Sequence, residues 1–163
     1  MRAPHYPWSL HKLIGDRPGI GSLMDLCEEN YRLLGRLVPG MRDFDGYRRS
    51  CLVTGMDLHL EVLEQTPYTS LLHLTYYFPQ ESGMAPDPDA TLRVYHDAEQ
   101  VEVLDLRQTV LPLPRGPHYP ELRDKWRANL FLSKWLSFCI SQGHGMGAAQ
   151  WQRAFGQKLA ASL

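Results

Sequence analysis

The stretch Asp57–Phe78, DLHLEVLEQTPYTSLLHLTYYF, decides the fold. Leu58, Leu60 and Val62 stand at every second position before a Thr-Pro-Tyr-Thr break, and Leu72, Leu74, Tyr76 and Phe78 do so after it. That period of two marks a pair of antiparallel strands, each with one apolar face. Both apolar sets carry even numbers. Facing residues share a face, so paired numbers must add to an even total, which asks for a connecting loop of odd length. A loop centred on Thr66 meets the condition and sets His59 opposite His73, with Glu61 opposite Leu71.

Upstream, a strand is expected around Tyr47 to Gly55, and before it a helix over SLMDLCEENYRLLGRLVPG. Ser22 is placed as its N-cap with Asp25 three residues on, and Pro39-Gly40 ends it. Leu23, Cys27, Tyr31, Leu34 and Val38 recur at helical spacing and are expected to face the core. Residues 1–21, with their prolines and glycines, read as an irregular arm tethered by Trp8, Leu10 and Leu13.

Downstream, Gln80 to Ala90 (QESGMAPDPDA) has the composition of a loop. A second hairpin, RVYHDAEQVEVLDL, follows from Arg93, with Asp97 to Gln100 as its turn, Val94 paired with Val103, His96 with Val101 and Tyr95 with Glu102. A helix from Pro120 to Gln142 presents a wide apolar surface suited to lying across a sheet. GHGMG then reads as a C-cap and flexible joint leading to a short tail helix with Trp151, Phe155 and Leu159 on one stripe. The fold expected is α+β: an antiparallel sheet of about five strands, with an N-terminal helix and a long C-terminal helix packed on it.

At 163 residues the chain is the length of one domain, and 44% hydrophobic with 21% charged residues is the composition of a folded protein. A formal net charge of −1 gives no global attraction to nucleic acid or to an anionic membrane, and neither is expected as a partner. No segment has the apolar length of a membrane span, and the start lacks the apolar run of a signal peptide, so a cytoplasmic location is expected. Cys27, Cys51 and Cys139 form no CxxC or histidine-spaced set, so neither a metal cluster nor a cofactor is expected.

Four segments carry a family resemblance: LCEENYRLLGRLVP from Leu26, LEVLEQTPYTSLLHL from Leu60, LRVYHDAEQVEVL from Leu92, and YPELRDKWRANLFLSKWLSFCISQG from Tyr119. Together they resemble the bacterial YqiB-like family, a domain family of unknown function, over roughly residues 22–143. The resemblance implies a bacterial cytoplasmic protein and supplies no reaction, ligand or catalytic residue. The chain then reads as a single domain, residues 1–163: an arm (1–21), a YqiB-like core (22–143) and a short tail helix (144–163).

Four sets of residues could carry function. Arg123, Lys125 and Arg127, with Tyr119 just before, sit at a helix start, where cations and unpaired backbone N–H groups favour an anion such as phosphate. His96 with Asp97 would supply a base and its orienting carboxylate for a small hydrolase of a phosphate-containing metabolite, although successive strand residues point to opposite faces. His59 and His73, if aligned, would supply two imidazoles to a divalent metal. Cys51, beside Arg48 and Arg49, is the thiol placed for reactivity. With no nucleophile motif, metal set or cofactor fingerprint, the favoured expectation is a non-enzymatic binding or regulatory module that recognises a protein partner or a small anionic ligand at the helix start.

Overall fold

The computed structural model describes residues 20–53, 55–80, 83–108 and 121–153. Helix α1 spans Ile20–Leu37 and α2 spans Leu122–Ser141. Among the described residues six strands make one antiparallel sheet: β1 Tyr47–Ser50, β2 Leu58–Gln65, β3 Thr69–Gln80, β4 Gly83–Tyr95, β5 Gln100–Arg107 and β6 Trp151–Arg153. Their spatial order is β5-β4-β3-β2-β1-β6, a five-stranded meander whose β1 edge is extended by a strand returning from the far end of the chain. The fold is α+β as expected, with six strands where about five were anticipated.

The helices bury one face of the sheet. Leu34, Leu37, Phe131, Leu132, Trp135 and Leu136 pack on Leu58, Leu60, Leu72, Leu74, Leu92, Val94 and Val101. Tyr76, at the end of the β3 apolar series, meets the Trp135 ring at 5.8 Å. The buried face of α1 keeps Cys27 and Leu34, with Val38 just beyond it, from the expected stripe, leaves Leu23 and Tyr31 half-buried, and widens to take in Leu26, Asn30, Leu33 and Leu37. The reason is double burial: α1 packs against both α2 and β5, so its inner face is wider than one stripe and takes in Asn30. The helix also begins at Ile20, so Ser22 lies in its first turn and is not its cap.

Both hairpins keep their expected faces and change register. In β2–β3, Leu58 faces Tyr76, Leu60 faces Leu74 and Glu61 faces His73. Thr66 N–H donates to Thr69 O at 2.8 Å, closing a tight turn at Pro67-Tyr68 instead of an odd loop. The parity conflict is resolved by a bulge: Val62 faces Leu72 but Glu64 faces Leu71, so Leu63 is the extra residue. In β4–β5, Val94 faces Val101 and Tyr95 faces Gln100, so the turn begins at His96 and holds Glu99 at φ 54°.

Where a loop was expected from Gln80 to Ala90, Gln80 ends β3 and Gly83 to Ala90 belong to β4; Glu81 and Ser82 lie outside the described residues. β3 and β4 run on as a two-stranded arm, Tyr77 facing Pro86 and Gln80 facing Gly83, beyond the last pairs with β2 and β5. Pro79, Pro86 and Pro88 remove donors from this arm, so a composition typical of loops also describes a strand edge guarded against further pairing. No helix among the described residues is long and apolar enough to cross a membrane.

The segment after α2 also departs from expectation. Ala148–Gln150 is a 3-10 turn and Trp151–Arg153 is strand β6; Phe155 and Leu159 lie outside the described residues, as do Trp8, Leu10 and Leu13. GHGMG does cap α2, with Gly143 at φ 113°, but it is a fastened crossing and not a joint. A Cβ on Gly145 would stand 2.9 Å from Arg36 O, so only glycine allows the chain to pass the end of α1. Trp151 Nε1 then donates to Leu37 O at 2.8 Å, pairing a carbonyl that the end of α1 leaves open.

Candidate functional site

Lys125, at the start of α2, stands over the β5 edge of the sheet, where the edge is closed by one buried side chain. Asn129 Oδ1 accepts the Val103 N–H at 3.1 Å, and Asn129 Nδ2 donates to Lys125 O at 2.8 Å. Asn30 Nδ2, from α1, donates to Asn129 O at 3.0 Å. A buried amide with both ends engaged thus pins helix to strand edge, which answers why asparagine interrupts an apolar surface. This bracket fixes where the first turn of α2 points.

On that first turn Arg123 is exposed and Lys125 half-buried, and Arg127, in the second turn, is also half-buried; Tyr119 lies outside the described residues. Glu121 occupies the N-cap position without a side-chain hydrogen bond to the helix, so the opening N–H groups lack the usual side-chain cap. Lys125 and Glu102 both act on the thiol of Cys27, which is pushed up to about 11 by burial first, then by Glu102, with Lys125 opposing. Glu102 accepts a 3.3 Å hydrogen bond from the Tyr95 hydroxyl and faces Arg93 across β4–β5. Tyr95 is raised by burial and Glu102 and lowered by Arg93. Arg93, Tyr95 and Glu102 thus share the sheet face away from the helices, and Lys125 and Glu102 both lie near enough to Cys27 to act on its thiol.

His96 belongs to a different environment. It is 7% exposed, its Nε2 shares a 2.7 Å hydrogen bond with Ser70 Oγ, and its backbone N–H donates to Tyr68 O at 2.8 Å. Burial lowers its pKa, Arg42 lowers it further, and Asp97 raises it. Ser70, not Asp97, holds the ring; exposed Asp97 acts on it through charge. The cation acting on His96 is Arg42, whereas Lys125 lies with Cys27 and Glu102, so the structure does not gather the base and the helix start into one set of contacts.

His59 and His73 are not aligned. His59 faces Thr75 and His73 faces Glu61, because the tight turn at Pro67-Tyr68 together with the bulge moves each partner two residues from the expected register. His59, 3% exposed, shares a 2.7 Å hydrogen bond from Nδ1 to the Tyr47 hydroxyl and meets the Tyr77 ring edge-on at 4.7 Å. Burial pushes its pKa down to about 4, with Asp57 opposing and Arg49 reinforcing. His73 instead pairs with Asp89, which also accepts from Thr75 Oγ1 at 2.7 Å. Among the described residues no group of three or more His, Cys, Asp or Glu side chains is placed to hold a metal ion.

A third buried histidine, His144 of GHGMG, is 1% exposed. Its Nε2 donates to Met56 O at 3.1 Å, so Nδ1 is the acceptor for the Ser50 hydroxyl at 2.7 Å. Two serine–histidine pairs were thus unread in the sequence. Their signal was present: Ser50 and Ser70 are polar residues on the apolar face of their strands, positions that demand a partner. Cys51 is exposed just beyond β1, and its thiol is raised by partial desolvation and by Asp57, which outweigh Arg49. It is not an activated thiol.

A family model described as "Protein of unknown function (DUF1249)" matches residues 33–145. The chain is 32% identical over 131 residues to "Uncharacterized protein YqiB" of Escherichia coli strain K12, covering 77% of this chain and 91% of that one. The YqiB proteins of E. coli O6:H1 and O157:H7 match to the same extent. No solved structure matches the chain.

Proposed function

This chain belongs to the DUF1249 family, and from that premise and its own geometry we propose that it is a non-enzymatic binding or regulatory module of the bacterial cytoplasm, taking a small anionic ligand at the start of α2. One contrast carries the reading. His59, His96 and His144, which could serve as bases, are buried against the hydroxyls of Tyr47, Ser70 and Ser50 and held towards the neutral form. Arg123, by contrast, is exposed, and Lys125 and Arg127 half-exposed, at a helix start that the Glu121 side chain does not cap. Phosphate oxygens suit such a site because they accept hydrogen bonds from guanidinium and backbone N–H while meeting the positive helix end. The hydrolase alternative would need the His96 ring to reach a substrate, and its Nε2 is engaged by Ser70 Oγ while its Nδ1 is buried.

The test is a thermal-shift screen of the full chain against inorganic phosphate, nucleotides and phosphorylated metabolites, repeated with Arg123→Ala/Arg127→Ala. A ligand at a hundred times its Kd adds about 2.7 kcal/mol to folding stability. A shift that disappears in the double variant supports the reading; saturating phosphate compounds that shift neither protein overturn it.

A further inference from the structure

The end of the sheet that carries the β2–β3 turn displays an aromatic side chain on a backbone held from several sides. Thr66 N–H closes the turn on Thr69 O, and His96 N–H donates to Tyr68 O at 2.8 Å. The Arg42 guanidinium donates to Pro67 O at 2.9 Å. Ser70 Oγ, at the base of the turn, is shared by His96 Nε2 at 2.7 Å and Gln65 Nε2 at 3.1 Å. Despite this support Tyr68 is 66% exposed, and Leu63, the residue the bulge adds to β2, is 46% exposed.

Two costs of binding are thereby already met by folding. The turn backbone is ordered before any partner arrives, so docking Tyr68 orders only its own side chain. The bulge re-aims Leu63 outward, a use of bulges that recurs at functional positions. An exposed tyrosine and leucine on rigid backbone are suited to act as interface anchors, and a polar rim around such anchors completes the usual anatomy. Among the described residues the rim has one dominant sign. Asp43, Glu64, Asp97 and Glu99 are exposed on the segments that meet at this end, and Arg42, the exposed cation among them, turns its guanidinium to the Pro67 carbonyl. Such a rim repels phosphates and anionic lipid and attracts lysine and arginine.

We propose that this end of the sheet is a protein-docking surface, where Tyr68 and Leu63 anchor a lysine- or arginine-rich segment of a partner protein that also carries an apolar side chain. It does not rest on the anion reading of the α2 start, which has the opposite charge.

The probe is a random-peptide display library panned on the purified full chain, with selected peptides synthesised and titrated calorimetrically. The expected winners combine net positive charge with an aromatic or aliphatic residue. They lose at least tenfold in affinity on Tyr68→Ala and again on Glu64→Lys/Glu99→Lys, while Arg123→Ala/Arg127→Ala leaves them unchanged. Tyr68→Ala keeps every backbone bond of the turn, so its melting temperature should match the parent and exclude misfolding as the cause. Winners that bind Tyr68→Ala equally well, acidic winners that depend on Arg123 and Arg127, or no winners at all would overturn the proposal. So would a concentration-dependent dimer in sedimentation that Tyr68→Ala abolishes, since the occupant would then be a second copy of this chain.

Discussion

Ser50–His144 and Ser70–His96 are the same chemical pair at the two ends of the sheet, each with oxygen and nitrogen 2.7 Å apart. They differ in their second nitrogen. His144 Nε2 donates to Met56 O, so serine, imidazole and carbonyl form a finished chain that ties β1 to the segments around Met56 and Gly143. His96 Nδ1 is buried without a hydrogen-bond partner among the described residues. A finished network stabilises and specifies, whereas an unfinished one carries a desolvation cost that something else must justify. At the His144 end the pair works with Trp151 and Gly145 to fasten the chain past α1. At the His96 end it supports a displayed turn.

The harshest way to break the finished end is Trp151→Ala. It removes a buried indole together with the hydrogen bond to Leu37 O and should cost about 3–5 kcal/mol, read as a drop in denaturant midpoint. Acid probes both ends at once. A buried histidine with a depressed pKa binds its proton more readily when unfolded, so its stabilisation is intact above the unfolded value of 6.5 and is lost as pH falls towards the folded value. For His59, whose folded value is about 4, that loss approaches 3 kcal/mol between pH 6.5 and pH 4. Unfolding titrations across this window should show stability falling, and a flat profile would contradict the buried neutral histidines.

The sharpest comparison of the two pairs is His144→Leu against His96→Leu. The first leaves Ser50 and Met56 O without their partner and should cost about 1–3 kcal/mol. The second removes an unpaired nitrogen as well as a bond and should cost about 1 kcal/mol less than the first, since an apolar replacement relieves part of the penalty. Equal losses would mean that His96 Nδ1 is satisfied in solution. The mildest test is kinetic: Cys51 should alkylate more slowly than a free thiol of ordinary pKa, and buried Cys27 and Cys139 should react only on unfolding, followed by mass spectrometry.

Much of the candidate site was legible residue by residue and illegible as an arrangement. Arg123, Lys125 and Arg127 could be placed at a helix start from Pro120 and the apolar run behind it. The approach of Lys125 and Glu102 to the same thiol, Cys27, could not, because it depends on which strand edge the helix covers. Asn129 is a polar residue within the apolar run of the helix, but Val103 and Asn30 as its partners came only with packing. His96 and Asp97 are adjacent in sequence, yet Ser70, distant in sequence, holds the ring.

The sequence by itself determined the faces. Alternation at Leu58–Leu60 and Leu72–Leu74–Tyr76 placed in the core side chains that the structure buries, with Val62 half-buried at its edge, because a pleated strand sends every second residue to the same side. Tertiary structure alone decided the registers, the bulge at Leu63, the arm that extends β3 and β4, and the sixth strand. The reason is that a register shifted by two residues buries the same apolar set, so the pattern cannot distinguish the alternatives. That choice falls to the Pro67-Tyr68 turn, to Asn129 at the β5 edge and to Trp151 beside β1, contacts that exist only once the chain has closed on itself.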